Sequence, residues 1–258
     1  MGDTKRGGRA VWLLAGLALA VVLSAAAGLC LGSQPYTLPQ LVQALRAQDP
    51  QDTVWRVLVY VRLPRVLAGI GAGAGLAVAG VLLQAVLNNA MASPNVIGVN
   101  AGAGFFALLT MVTLPMLAAA CPYLAAGLLL ALFLAVDLNV LCLGEESAAG
   151  LGLHVTRTRF MGILAAALLA GAAVSFAGLL SFVGLLAPHM VRRFAGADHR
   201  VLVPASALLG AAFVVVCDIA ARMLFAPFEL PVGILLSLIG GPFFLHLLLH
   251  RRRRRIYV

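Results

Sequence analysis

Long apolar stretches alternate with short polar segments along most of the chain. Each stretch is about 20 residues long, the length that an α-helix needs to cross roughly 30 Å of hydrocarbon. The stretches are Ala10–Leu31, Val66–Leu87, Val96–Ala120, Tyr123–Leu143, Phe160–Pro188, Val201–Leu224 and Pro231–His250. The pattern predicts an all-α fold, a polytopic helical bundle that lies in a membrane.

The stretch that begins at Phe160 is too long for one span. Together with its polar end it reaches Arg193, and a straight helix of that length would measure about 51 Å. The small residues that could interrupt it are Gly171, Ser175, Gly178 and Ser181. A break there predicts two shorter helices, at about 160–176 and 179–193. The bundle would then have about eight transmembrane helices, with both termini on the same side.

The basic residues predict which side that is, because they are enriched on the cytoplasmic flanks of membrane spans. The 258 residues include 18 Lys and Arg and nine Asp and Glu. With both termini in the cytoplasm, 13 of the 18 basic residues lie on that side, including the run Arg251–Arg255. We therefore attribute the positive charge to topology and, secondarily, to contact with anionic membrane lipid, not to nucleic acid. The first stretch shows no small-residue cleavage pattern and is expected to remain as a span.

Composition excludes several other classes of protein. The chain is 62% hydrophobic and 10% charged, whereas a soluble domain is about 25% charged. Its four cysteines form no CxxC pair, so we interpret them as small packing residues. No HExxH, GxSxG or P-loop pattern occurs, so we expect no catalytic residue, no nucleotide site, no metal and no cofactor.

Two acidic residues lie within apolar stretches, at Asp137 and Asp218. A charge inside a membrane is costly, and it therefore often marks a functional site. Both lie toward the end of a stretch, where a capping or interfacial role is the alternative.

One basic cluster lies on the side where basic residues are expected to be rare. The predicted external loop, at about 32–65, contains Arg46, Arg56, Arg62 and Arg65. An acidic partner would explain these arginines, and contact with lipid headgroups is the alternative.

A short polar segment follows the apolar stretch that ends at Leu143. It covers about 144–159, opens with the sequence Gly-Glu-Glu-Ser-Ala-Ala-Gly-Leu-Gly-Leu, and continues to two arginines. Because it is short, amphipathic and on the predicted cytoplasmic side, we expect a surface helix. Such a helix would rest on the membrane or dock on another protein.

Several motifs in order along the chain resemble one known family. They are Arg62-Leu63-Pro64-Arg65, Gly80-Val81-Leu82-Leu83-Gln84, Asn88-Asn89, Ser93-Pro94, Leu143-Gly144-Glu145-Glu146, Leu151-Gly152, Phe182-Val183-Gly184-Leu185, Ala187-Pro188-His189, Asp198-His199-Arg200, Pro204-Ala205-Ser206, Glu229-Leu230-Pro231-Val232-Gly233 and Gly241-Pro242-Phe243-Phe244. Together these motifs resemble the FecCD-like permease subunits of type II ABC importers, which carry iron–siderophore, haem or vitamin B12. The resemblance covers nearly the whole chain, 1–258, as a single transmembrane permease domain.

The resemblance implies a set of partners and a location. A permease of this kind pairs with a second permease chain, as a homodimer or heterodimer, in a bacterial cytoplasmic membrane. ABC ATPase subunits bind it from the cytoplasm, and a substrate-binding protein docks from outside. The chain itself is then not an enzyme, because the separate ATPase supplies the energy. Iron–siderophore is the expected cargo, and no residue distinguishes it from haem or cobalamin.

The resemblance also assigns roles to particular residues. ATPase coupling falls to Gly144, Glu145, Glu146, Ala148, Leu151 and Gly152. Docking of the binding protein falls to Arg62, Arg65 and Arg222. The pathway-lining residues of the last span are Gly233, Gly240, Gly241 and Pro242, where a bend is expected.

The chain departs from the family pattern at one place. The stretch Val96–Ala120 runs almost directly into Tyr123–Leu143, where the family has about 65–75 further residues, enough for two more spans. The alternative function is therefore a shortened, non-transporting membrane scaffold or regulatory subunit that still docks an ATPase. A passive channel, suggested by Asn95 beside Pro94, and a membrane enzyme are weaker alternatives.

Overall fold

The computed structural model describes residues 3–32, 34–94, 116–224, 228 and 230–255, and these residues form helices joined by short links. The helices are α1 (Asp3–Cys30), α2 (Leu38–Ala47), α3 (Thr53–Val57), α4 (Leu63–Val86), α5 (Met116–Leu141), α6 (Glu145–Gly150), α7 (Val155–Ala177), α8 (Val183–Ala195), α9 (His199–Met223) and α10 (Val232–Arg255). A π-helical turn, Leu58–Arg62, joins α3 to α4. The described part of the chain contains no strand, so the all-α prediction is confirmed there.

Six of the described helical stretches are long and apolar enough to cross a membrane. They are Gly8–Cys30, Thr53–Val86, Ala120–Leu141, Val155–Ala177, His199–Met223 and Val232–Leu249. The chain is therefore a multi-pass helical membrane protein. The predicted stretch Val96–Ala120 lies almost entirely outside the described residues.

The predicted break in the long fifth stretch is confirmed. Helix α7 ends at Ala177, Gly178 and Phe182 adopt positive φ angles of 73° and 66°, and α8 begins at Val183. Helix α8 has 13 residues, about 20 Å of helix, which is less than the hydrocarbon thickness. The figure of about eight spans therefore stays a prediction.

Helix α4 lies at the centre of the bundle, packed against α7, α8 and α9. A side chain at Gly80 would overlap the backbone of Gly184 in α8, and one at Gly73 would overlap Gly210 in α9. Small residues allow this approach of backbones, which provides van der Waals contact where lipid offers no hydrophobic driving force. Helices α4, α8 and α9 are thus packed backbone to backbone.

The helices place two sets of polar residues at opposite ends of the bundle. At one end of the bundle, the end of α1 meets the start of α4 and the end of α9. There Gly28 lies beside Val66 and Ile219. We call this the Arg62 end. The opposite end of the bundle is formed by the end of α5, by α6 and by the starts of α7 and α9. We call it the Glu145 end. Helix α9 joins the Arg62 end to the Glu145 end. Asp198 and Asp218 are 20 positions apart, which corresponds to about 30 Å of helix.

Both outer helices have their free termini at the Glu145 end. Helix α1 runs from there to the Arg62 end, and α10 begins near Leu179, which contacts Gly233. That both chain termini lie on one side of the membrane stays a prediction. That the Glu145 end faces the cytoplasm stays a prediction.

Candidate functional site

The Glu145 end presents a short helix on a well-defined base. Gly144, whose φ of 103° disfavours a side chain, turns the chain into α6. Ala148, within this helix, is fully buried. The Gly152 N–H donates to Ala149 O at 2.9 Å and the Leu153 N–H to Ala148 O at 3.0 Å. These two bonds, with Gly152 at a φ of 85°, form a Schellman motif that ends the helix.

The outer surface of this segment is exposed and mixed in character. Glu145, Glu146 and Leu151 are all exposed, and Leu143 extends the apolar part of the surface. Glu145 Oε1 accepts from Arg159 Nη2 at 2.6 Å, so one carboxylate is paired to the start of α7. All six residues predicted for ATPase coupling therefore lie in one protruding segment. Its acidic and apolar groups are available to a partner.

At the Arg62 end, the first predicted docking residue points into the protein. Arg62 is only 5% exposed. Its guanidinium group donates to the carbonyl oxygens of Leu29, Cys30 and Gln34, and it lies 4.5 Å from the ring centroid of Tyr36. Arg62 thus holds the segment that follows α1 against the start of α4.

The other two predicted docking residues share one aspartate. Arg65 Nε lies 3.0 Å from Asp218 Oδ1, and Arg222 Nη2 lies 3.1 Å from Asp218 Oδ2. The Arg222 side chain is 6% exposed, whereas that of Arg65 is 33% exposed. Arg62 and Arg222 both approach Gly32, so the structure brings all three arginines together. Asp218 is therefore an ion-pair partner rather than a helix cap.

The predicted pathway residues divide between two faces of α10. A side chain at Gly240 would overlap Phe182, and one at Gly233 would lie 3.1 Å from Leu179 O. Gly241 has open space where a Cβ would be placed. Pro242 lies inside the helix, which continues through it to Arg255. Gly233 and Gly240 therefore pack on this chain, and Gly241 faces away from it.

Helix α10 also carries a row of exposed apolar side chains. They are Ile234, Leu238, Leu245 and Leu249. Only the opposite side, which includes the buried Leu236, contacts α8 and α9.

At the Glu145 end, Gln84 and Asn139 contact helices that are distant in the sequence. The sequence alone leaves open whether Gln84 faces a pathway or a neighbouring helix, and it carries no signal for the contacts of Asn139. Gln84 donates through Nε2 to Gly184 O at 3.2 Å and accepts from Arg192, so this side chain faces neighbouring helices. Asn139 binds the start of α9 through Asp198 and His199. The partners are 59 to 108 residues apart in the chain, and a local motif carries no signal for such pairs.

Asp198 itself caps α9 by accepting from the Arg200 N–H at 3.0 Å. Partial burial alone would raise the pKa of Asp198. The hydrogen bonds from Asn139 and from the Arg200 backbone, together with the charge of Arg200, outweigh that effect and hold the pKa below its ordinary value. The carboxylate is therefore ionised at neutral pH, and it accepts both bonds.

The arrangement of these features along the chain matches one known family. The FecCD transport family matches residues 17–120 and 112–250. The chain belongs to the FecCD transport family. The iron(3+)-hydroxamate import system permease FhuB of Bacillus subtilis is 33% identical, over 96% of this chain and 85% of that protein. The Fe(3+) dicitrate transport permease FecD of Escherichia coli is 33% identical, over 76% of this chain and 86% of that protein.

A hemin transport permease and a solved structure are also similar to this chain. The hemin transport permease HmuU of Yersinia pestis is 31% identical, over 79% of this chain and 86% of that protein. An inward-facing structure of a metal-chelate type ABC transporter superposes with a TM-score of 0.73 and 27% identity, covering 93% of this chain and 99% of that one.

The alignments also locate the departure from the family pattern. The alignment with the Bacillus protein runs over 328 residues, and this chain has 258. At least 70 of those positions, the difference between the two numbers, therefore have no counterpart here. The two family matches overlap at 112–120, which is where the sequence predicts the missing segment.

Proposed function

We propose that this chain is the permease subunit of an ABC importer that carries an iron chelate of the siderophore type across a bacterial cytoplasmic membrane. The observation that carries the proposal is membership of the FecCD family over residues 17–250. Relatives named for ferric hydroxamate, ferric dicitrate and hemin support a metal chelate as cargo. The six membrane-capable helices among the described residues fit the permease role.

The ATPase partner docks on the segment around α6. Gly144 and Gly152 form its two turns and Ala148 seats it on the bundle, while Glu145, Glu146 and Leu151 contact the partner. The exposed acids and leucines support this role, since charged and apolar groups on a projecting helix suit a groove in another protein. ATP is hydrolysed by that partner and not by this chain.

The substrate-binding protein docks at the Arg62 end. Of the three arginines, Arg65 has the most exposed side chain, so we assign it the direct contact with an acidic group. Arg62 and Arg222 are both buried and stabilise the structure around Arg65. Arg62 donates to the backbone of Cys30, and Arg222 pairs with Asp218. The exposed Arg46 and Arg56 add positive charge at the same end, which favours rapid encounter with an acidic partner.

The cargo crosses between two permease chains. We propose that the outward face of α10, with Gly241 and Pro242, lines the pathway, and that Gly233 and Gly240 keep α10 close to the link between α7 and α8. The open space at Gly241 and the exposed leucines beside it support this assignment. A second copy, or a similar chain, supplies the opposite wall.

Uptake of a radioactive ferric siderophore into vesicles tests the proposal. The vesicles hold this chain with its ATPase and binding protein, and wild type is expected to accumulate iron only with ATP. Glu146→Arg is expected to reduce uptake, because it reverses an exposed charge on the docking surface and weakens binding of the ATPase. The matched control, Arg193→Glu, reverses an exposed charge at the same end but outside the predicted coupling segment, and it should retain uptake. No ATP-dependent uptake of ferric siderophore, hemin or cobalamin by wild type would contradict the proposal.

The missing segment of at least 70 positions favours a second candidate. A shortened permease that docks the ATPase without moving cargo would act as a scaffold or regulatory subunit. Its mark would be ATP hydrolysis by the assembled complex, stimulated by this chain, with no uptake of any of the three cargoes. Iron accumulation by the wild-type complex would exclude it.

A further inference from the structure

The side chain of Asn139, in α5, links the turn into α6 to the start of α9. Asn139 lies near the end of α5, and hydrogen bonds continue from Cys142 to Leu138 O, from Leu143 to Val140 O and from Gly144 to Leu141 O. The backbone is therefore ordered from Asn139 through the turn into α6. A displacement of α6 is carried to Asn139 over only five residues of hydrogen-bonded chain.

The amide of Asn139 makes three contacts with the start of α9. Its Nδ2 donates to Asp198 Oδ1 at 2.7 Å, and its Oδ1 lies 2.8 Å from the His199 backbone N and 2.7 Å from His199 Nδ1. A carboxylate only accepts and a backbone N–H only donates, so one orientation of the amide satisfies both. Because an amide oxygen accepts, His199 Nδ1 carries the proton. His199 is 3% exposed, so its part of the contact lies inside the protein, whereas Asp198 is exposed.

Helix α9 carries this contact across the bundle. It is one uninterrupted helix from His199 to Met223, and its Gly210 packs on the backbone of Gly73 in α4. At its far end Asp218 holds Arg65 and Arg222. Since backbones packed this closely cannot slide independently, a movement of the start of α9 reaches the Arg62 end.

We propose that Asn139 is a positioning residue for transport, which couples the displacement of α6 to α9 and so links the ATPase surface to the arginines about 30 Å away. Asp198 and His199, at the start of α9, are the residues that contact Asn139 and through which the displacement reaches α9. The proposal rests on the proposed function, since it assigns a route for the coupling within that permease.

The first test compares uptake with ATP hydrolysis in the reconstituted complex. Asn139→Leu keeps the size of the side chain and removes its polar groups. We expect iron transported per ATP hydrolysed to fall about five- to a hundredfold, the range of a coupling of this kind, with ATPase assembly and basal hydrolysis retained. The control is Asp198→Asn in the otherwise wild-type chain. Its amide oxygen can still accept from both Asn139 and Arg200, so we expect the ratio of iron to ATP to stay close to that of wild type. An unchanged ratio in Asn139→Leu would overturn the proposal.

The second test measures distance and does not depend on uptake. Nitroxide labels are placed at Ala149→Cys in α6 and Arg200→Cys in α9, both exposed, with the four native cysteines replaced. In the complex with the ATPase, we expect the distance between the labels to stay constant on ATP binding in the otherwise wild-type chain. In Asn139→Leu it should change. A distance that changes with Asn139 present, or that is constant in both chains, would contradict the coupling role.

The two tests separate the failure of this inference from the failure of the proposed function. Wild-type complex without uptake of any chelate would refute the transport function, while the label distances still report whether α6 and α9 move together. If Asn139→Leu does not fold, Asp198→Ala, which removes the carboxylate that accepts from Asn139, takes its place in both tests.

Discussion

At the Arg62 end, Arg62 and Arg222 point inward, and each residue is 5% exposed. At the Glu145 end, Glu146 faces solvent, and Glu145 is 63% exposed although it pairs with Arg159. Both ends were predicted as docking surfaces from clusters of charged residues. At the Glu145 end, most of the predicted docking charges are exposed to a partner. At the Arg62 end, two of the three predicted docking arginines are buried and stabilise the fold.

The difference teaches that a cluster of charges has two separable uses. A buried ion pair contributes to local geometry, and removing one member leaves an uncompensated charge in a poorly solvated place. An exposed charge contributes chiefly to the rate and orientation of encounter. Mutations at the two ends should therefore produce different kinds of defect.

The largest effect is expected for Asp218→Ala. It leaves Arg65 and Arg222 without their shared carboxylate, and the loss of one partner of a buried pair costs about 3–5 kcal/mol. The thermal unfolding of the protein in detergent should shift strongly downward. Asp137→Ala, which removes a half-buried aspartate of α5, is the matched control. Equal melting temperatures for the two variants would mean that the ion pairs contribute nothing to stability.

Charge reversal at the Glu145 end should weaken assembly without destabilising the fold. For Glu146→Arg we expect the affinity for the ATPase to fall about tenfold, or ~1.4 kcal/mol, at an unchanged melting temperature. Affinity is measured by titrating purified ATPase onto the permease in nanodiscs. Asp49→Arg makes the same reversal at an exposed acid of the other end and should bind normally. A drop in both variants would point to net charge instead of the docking surface.

A smaller, kinetic effect is expected for Arg65→Gln. The association rate of the binding protein should fall several-fold and depend less on salt, since a partly exposed charge acts mainly on encounter. Arg62→Gln should instead lower the melting temperature, because it removes donors to Leu29, Cys30 and Gln34. Stopped-flow mixing and thermal unfolding of both variants give the comparison. If Arg62→Gln slowed association at full stability, the buried arginine would be a direct contact.

The smallest effect concerns the pH dependence of stability through Asp198. The pKa of Asp198 is lowered in the folded state from an ordinary value of 3.8, so the ionised carboxylate stabilises the fold above that pH. The contribution is lost as pH falls through the folded value. The melting temperature of wild type should therefore exceed that of Asp198→Asn at pH 7, and the difference should shrink below about pH 4. A difference that does not vary with pH would assign the effect to shape alone.

The helical architecture could be predicted because each span is specified locally. About 20 consecutive apolar residues suffice to form a span, and the glycine and serine residues near Gly178 were enough to predict the break before α8. The segment around Glu145 was also recognisable, since its polarity and its glycines are confined to ten residues. The lost internal segment could be inferred because it leaves two apolar stretches almost in contact along the sequence.

The contacts of the arginines could not be predicted in the same way. Arg65 and Arg222 look alike in the sequence, and both stand near the end of an apolar stretch. That Arg222 is buried against Asp218 and Arg65 is partly exposed depends on how α4 and α9 pack. The partners are 153 residues apart for Arg65, and the sequence contains no local pattern for that distance.

By itself, then, the amino-acid sequence determined the membrane location, the helical class and the FecCD motifs, since hydrophobicity and short motifs are properties of neighbouring residues. Tertiary structure alone decided which charges face a partner and which hold the bundle together. It also decided that Asn139 meets Asp198 and His199. The physical reason is that burial and ion pairing are relations between helices, and they exist only after Gly73, Gly80, Gly184 and Gly210 have allowed the helices to pack.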